Sequence, residues 1–467
     1  MAVLPAENVT FPASVPIAVI GGGACGLVAA LAASDAGGEV IVFERDAIPS
    51  GSTALSSGLI PAAGTRFQRD AGIDDSPRRF EADIQAKAKN RADPAIAQSV
   101  AQTIGPTIEW LAEKHHLPFT VVTGFLYPGH SCERMHAHPE RTGRALIDGL
   151  RAAVERAGID IVTGALVADL YARADGTVAG LAIERPDGTK DTIGCEALVL
   201  ACSGFGGNST LVRRYIPEMG SALYFGHTGN RGDALSWGEA LGAATRDLTA
   251  YQGHGSVAHP HGILISWALT TEGGFQVNIH GRRFSDESGG YSEQSVVVLN
   301  QPGGTAWNIY DERLHQFGLD FPDYRDAVAA SAVRRAGSAL ELAAVTGLPA
   351  DALMAAFEQV AACQRGVRDD EFGRDFSTKP PLIAPFYAIK VTGALFHTQG
   401  GLVIDTAARV LKSDGTPLPN LFAGGGAACG VSGPTVDGYL SGNGLLTAVA
   451  LGRWAGESAA KLCKGPL

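Results

Sequence analysis

The stretch from Val15 to Asp46, VPIAVIGGGACGLVAALAASDAGGEVIVFERD, leaves this chain few folds to choose from. An apolar strand runs into a glycine turn, an alanine-rich helix follows, and a second strand ends in an acid. Gly21, Gly23 and Gly26 fit the pattern G-x-G-x-x-G. In such a turn the first glycine permits the tight bend, the second lets a pyrophosphate approach the backbone, and the third lets helix pack on strand. Amides at the helix start face the phosphate. Glu44 closes the second strand about twenty residues on, where a carboxylate can bind both ribose hydroxyls. The pattern predicts an α/β, Rossmann-type nucleotide-binding domain.

The chain has 467 residues, more than one ordinary core serves, so two domains are expected. With 45% hydrophobic and 18% charged residues it reads as soluble and globular. A net charge of -11 argues against nucleic acid or an anionic membrane as partner. The N-terminus lacks a basic region followed by an apolar stretch, and no apolar run reaches the roughly 18 residues a bilayer span needs. The expected location is therefore cytoplasmic, with no membrane span. Seven cysteines show no CxxC, haem-attachment or zinc spacing, so buried free thiols and no metal are expected.

Beyond the first motif, PSGSTALSSGLIPAAGT (Pro49 to Thr65) supplies small hydroxyl and glycine residues that can lie along a flat ring system. The segment resembles the flavin-wrapping loop of the fumarate reductase and succinate dehydrogenase flavoprotein superfamily, which also holds the ketosteroid dehydrogenases. The resemblance implies FAD, with Ser52, Thr53, Ser57 and Gly58 along it. Ser52 falls where some members carry a histidine bonded to the flavin, so the cofactor is expected to be non-covalent. The residues from Asp169 to Asn208 alternate short strands with DG turns and return through LACSGFGGN. By resemblance Val167, Ser203, Gly204 and Asn208 serve the adenosine part, and TGNRGDALSWGEALGA, with Asp233, matches the next helix. At the far end LFAGGGAA includes Gly425, and GNGLLTAVALGRWAG opens a helix whose amides around Gly444, Leu445 and Leu446 can point at the flavin. An FAD domain built from both chain ends implies an inserted α+β capping domain. The expected division is 1–248 and 397–467 for FAD, with 249–396 as the cap.

The family's substrate residues can be followed one by one. YQGHGS places His254, and LFHTQGG places His397, where the family has its substrate histidines. The block GRRFSDESGGYSEQ reads as a polar turn after a strand and keeps the family's glutamate as Glu287, expected to pair with Arg282 or Arg283. Tyr291 stands where fumarate reductases carry their proton-donating arginine. In DGYLSGNG, Tyr439 stands where they clamp a substrate carboxylate with another. The relay arginine before the GGFQVN strand is also absent. An arginine forks onto carboxylates and stays cationic; a tyrosine does neither. A phenol donates a hydrogen bond when neutral and accepts a proton when ionised. Both substitutions, and the GYLSG corner with the Gly442 amide, resemble the ketone dehydrogenases of the superfamily. Tyr127 and Trp267 are further candidates for the pocket wall.

The expected activity is FAD-dependent introduction of a carbon–carbon double bond beside a carbonyl, on a 3-ketosteroid or a smaller cyclohexanone-type ring. One tyrosine polarises the carbonyl, and the other removes the α-proton. A dicarboxylate or tricarboxylate dehydrogenase, or a fumarate reductase-like ene-reductase, is the alternative, and a non-enzymatic flavoprotein is a third. With no haem motif and no second nucleotide fingerprint, electrons are expected to pass to a quinone, a partner protein or oxygen.

Overall fold

The computed structural model describes residues 1–465 and divides into two compact units. The first comprises Met1–Pro217, Gly226–Tyr251 and the chain from His397 onward. Its core is a parallel sheet. Ser14–Ile20 lies between Val40–Phe43 and Lys190–Leu200, and Asp160–Val162 extends the sheet beyond Val40–Phe43. On the other side of Lys190–Leu200 lies Pro417–Ala423, also parallel, so the last strand of the sheet is separated from Ser14–Ile20 by that one strand. Leu166–Ala172 and Val178–Glu184 form an antiparallel ribbon leading into Lys190–Leu200.

Ile17, Ala18, Val19 and Ile20 are all buried, as befits a strand covered on both faces. The helix Ala24–Asp35 is buried through ten successive residues, so it must pack on more than the sheet. Its second partner is the helix Asn443–Cys463. A Cβ on Gly452 would lie 2.5 Å from the Cys25 carbonyl oxygen, and one on Gly456 would lie 2.1 Å from that of Ala29. Two glycines one turn apart therefore let the helix backbones touch. Either Gly→Ala change would force them apart.

The second unit comprises Glu218–Phe225 and Gln252–Phe396. Its sheet runs in the order Ile263–Leu264, Tyr251–Ala258, Phe386–Thr398, Thr305–Asp311, Phe275–Val277. Leu223–Tyr224 pairs in parallel with Ala394 and Leu395, which explains why the short segment 218–225 belongs here. Side chains alternate across the sheet. Ile309 and Ala388 enter one apolar cluster with Phe275, Leu353 and Phe376, while their neighbours Tyr310 and Ile389 enter another with Val298, Leu314 and Tyr324. Helices thus cover both faces, and the unit is α+β. No helix among the described residues is long and apolar enough to cross a membrane. All seven cysteines are free, with Cys132, Cys202 and Cys463 only half-buried.

Candidate active site

In the first unit the three motif glycines act for three different reasons. Gly21 adopts φ +107°, and a Cβ there would meet the Ala201 carbonyl oxygen at 2.6 Å. A Cβ on Gly26 would lie 1.8 Å from the Gly21 oxygen. Gly23 differs, because its nearest neighbour would be Thr53 Oγ1 at 3.7 Å. Space is left open at the start of the helix, which has no side-chain cap. Around that opening, Ala24 N–H donates to Thr53 Oγ1 at 3.1 Å, and Gly22 N–H donates to Glu44 Oε2 at 2.7 Å. Glu44 is buried, and its other oxygen accepts from Asp46 N–H.

The loop after it is held by its own hydroxyls. Ser52 Oγ accepts from His227 N–H and Asn230 Nδ2. Ser56, which sequence reasoning passed over, bonds the Thr53 carbonyl and the Gly58 N–H. Gly58 has φ +68° and abuts the Thr142 carbonyl; Ser57 is half-buried beside it. Val167 is buried in its strand at an irregularity of the ladder. Ser203 takes a left-handed φ of +65°, and Gly204 packs against Thr398 Oγ1. The Asn208 side chain caps the helix Ser209–Tyr215 and donates to the Arg231 carbonyl. Asp233 opens the helix Asp233–Ala240, and burial raises its carboxyl. Gly425 turns at φ +56° against Cys25.

The helix Asn443–Cys463 starts at Gly442, which has φ +87° and lies so close to Pro61 that a Cβ would be 2.6 Å from its ring. No side chain caps this helix, so the first-turn amides around Gly444, Leu445 and Leu446 form a positive end. Asn443 is fully buried, and its Oδ1 has no partner among the described residues. His397 lies edge-on to the Tyr439 ring at 5.6 Å between centroids. Its Nε2 would be 2.6 Å from a Cβ on Gly444, so only glycine fits there. The ring is partly exposed, yet its dense surroundings push its proton affinity down to about 4. His130, a residue without a sequence signal, donates from Nε2 to the Ser441 carbonyl at 2.9 Å. That bond fixes the peptide that carries the Gly442 N–H.

In the second unit Tyr291 does not sit in a turn. It is the first residue of the helix Tyr291–Leu299, entered through Gly290 at φ +145°. Its ring stacks on His254 at 4.8 Å, and Phe396 also stacks on His254, at 5.4 Å. Trp267 meets His254 edge-on, and its buried Nε1 has no partner among the described residues. Ser256 N–H donates to His254 Nδ1 at 3.1 Å, leaving the ring proton on Nε2. Burial lowers the proton affinity of His254 to about 3, so it is uncharged at neutral pH and lends Tyr291 no positive charge.

Glu287 forks onto Arg283, at 3.0 and 2.8 Å, and not onto Arg282. It also takes Arg374 Nη1 at 3.0 Å and the Gln276 N–H. Burial alone would raise its carboxyl, but Arg374 and Arg283 hold it below the ordinary carboxylate range. Arg374, far along the chain, also donates to the carbonyls of Gly274 and Thr270. Tyr127 belongs to the first unit, packed edge-on against Phe125.

A family model described as FAD binding domain matches residues 17–445. The chain belongs to that family. An NADH:fumarate oxidoreductase of Klebsiella pneumoniae (strain 342) is 29% identical over 461 residues, covering 98% of this chain and 49% of that protein. This FAD-binding chain thus spans about half the length of that relative, and further relatives carry fumarate reductase names. A 4-oxocyclohexanecarboxylate 2-dehydrogenase of Sinomonas cyclohexanicum is 26% identical over 517 aligned positions, covering 88% of this chain and 87% of that protein. The solved 3-ketosteroid-Δ4-(5α)-dehydrogenase of Rhodococcus jostii RHA1 superposes with a TM-score of 0.78 and is 25% identical, covering 98% of this chain and 100% of that one. The chain is thus an FAD-binding protein whose relatives are named as reductases and dehydrogenases. The residues present fit FAD. The open side of Gly23 leaves room for a pyrophosphate, and the orphan Asn443 Oδ1 offers an acceptor beside an uncapped helix start.

Proposed function

We propose that this flavoprotein desaturates a ketone, on a cyclic substrate, at the bond beside the carbonyl. The observation that carries the reading is that both histidines are held neutral, with proton affinities near 3 and 4, while tyrosines stand at both arginine positions. A dicarboxylate brings two negative charges and calls for fixed cations or charge-assisted hydrogen bonds. Neutral donors suit a neutral carbonyl, whose oxygen gains charge only as the α-proton leaves.

The roles follow from the chemistry of each group. The Tyr439 hydroxyl and the Gly442 N–H hold the carbonyl oxygen and take up its developing charge. Tyr291, as phenolate, accepts the α-proton. His254 and His397 donate from Nε2 without adding charge. When bound, FAD supplies the two-electron acceptor for the hydrogen leaving the β-carbon. The names of the Sinomonas and Rhodococcus proteins support this substrate class; the fumarate reductase names support the alternative.

Anaerobic mixing of the FAD-loaded protein with cyclic ketones and with C4 dicarboxylates separates the two. Bleaching of the flavin by a ketone, and not by succinate, is expected. Bleaching by succinate alone, or reoxidation of the reduced protein by fumarate alone, returns the site to dicarboxylates.

A further inference from the structure

His397 is bonded to a buried chain of neutral side chains, of which only Asn443 has been given a part above. Gln399 Nε2 lies 2.9 Å from His397 Nδ1, Ser432 Oγ 2.7 Å from Gln399 Oε1, and Asn443 Nδ2 3.0 Å from Ser432 Oγ. Gln399, Ser432 and Asn443 are all buried, and all four residues lie in the first unit. Such a chain can carry its protons in either of two directions. Run from Asn443 to His397, it leaves Nδ1 an acceptor, puts the ring proton on Nε2, and leaves only the Asn443 carbonyl oxygen unpaired. Run in reverse, it protonates Nδ1, bares Nε2, and strands the Asn443 NH2 in the interior. A stranded buried N–H is rarer and more costly than an under-used carbonyl. The first direction prevails.

A competitor stands close by. The Thr398 carbonyl lies 3.4 Å from the same Nδ1 and would draw a proton there if Gln399 did not donate to it. The shorter contact decides the tautomer. The Nε2–H it leaves lies beside Gly444, at the uncapped end of the helix Asn443–Cys463, where the first-turn amides are donors. Tyr439 is the titratable side chain packed on the ring.

We infer that Gln399 is a positioning residue that locks His397 as the Nε2–H tautomer, making it a neutral hydrogen-bond donor to a substrate oxygen. The inference rests on the reading of His397 as a substrate residue and adds that the group it meets is an acceptor: a carbonyl, not a hydroxyl proton.

The test uses the full-length, FAD-loaded protein labelled with ¹⁵N-histidine, with His397→Gln serving to assign the signal. Protonated Nε2 and bare Nδ1 between pH 5 and 9 is expected, and the opposite pattern overturns the inference whatever the substrate proves to be. Two variants then read the consequence. Gln399→Leu frees the ring for Thr398 and is expected to lower kcat/KM about ten- to a hundredfold at every pH, with FAD content unchanged. Gln399→Glu places a carboxylate against Nδ1, so Nε2 carries a proton only while the ring is cationic. Its kcat/KM is expected to fall as pH rises through the new histidine ionisation, a slope absent from the native protein. Equal pH profiles for Gln399→Glu and native protein overturn the inference. If no ketone bleaches the flavin, the ketone reading fails while the tautomer measurement still stands or falls by itself.

Discussion

At the scale of single residues the proposed ketone site relies on donors that carry no charge. In the mechanism proposed above, Tyr439→Phe removes one hydrogen bond to an oxygen whose charge grows in the transition state. The expected loss is roughly 10²–10³ in kcat, with flavin content unchanged. Tyr291→Phe removes the proposed proton acceptor, where such groups contribute about 10²–10⁴-fold. Rapid-mixing measurement of flavin bleaching checks both, and near-native reduction in either variant removes that tyrosine from its role. The sequence made the two tyrosines and two histidines visible because each replaces or keeps a residue at a fixed offset from a motif. Their supporting partners were not visible in the same way. Gln399 stands two residues from His397, just past the end of the strand Phe386–Thr398, a closeness in sequence that could have flagged it. Ser432, Asn443 and His130 reach the site only through the fold.

At the scale of elements, the turn before the helix Tyr291–Leu299 is fixed by a buried ion cluster. Arg283 is shared between Glu287 and Asp370, and Arg374 joins from the far side; each of these side chains is at most 3% exposed. The cationic planes also lie over Phe376, at 4.8 and 4.1 Å. Glu287→Gln would strip the shared anion from two buried guanidiniums, a change that typically costs about 3–5 kcal/mol. Thermal unfolding should show a clearly lowered transition for this variant; an unchanged midpoint would mean the cluster is dispensable. Half of it was legible, since Glu287 and Arg283 lie one helical turn apart in sequence. Arg374 had no local signal, and neither did the strand Leu223–Tyr224, whose partner lies far along the chain. The strand–turn–helix at the start was legible because its glycines are dictated by backbone contacts within a short segment. The glycine pair Gly452 and Gly456 was not, because what it abuts lies at the opposite end of the chain.

At the scale of the molecule, burial of neutral imidazoles sets an acid limit. His130 and His136 are held near 4 and His254 near 3, against about 6.5 for an exposed imidazole. Below about pH 6.5 the unfolded chain takes up protons that the folded one refuses, so stability falls as pH drops toward 4. Each of the first two opposes folding by up to about 3 kcal/mol once the window is crossed. The melting midpoint should therefore decline steadily between pH 7 and 4.5, and a flat midpoint there would contradict the buried neutral state. The adjacency of Ser14–Ile20, Lys190–Leu200 and Pro417–Ala423 bears on how the protein is made. A ribosome delivers the glycine turn long before the helix that packs against Ala24–Asp35. Until Asn443–Cys463 emerges, the nascent chain exposes the apolar flank that this helix will cover. Flavin loading is thus expected only after Asn443–Cys463 has been made, and a product cut short before it is expected to stay colourless.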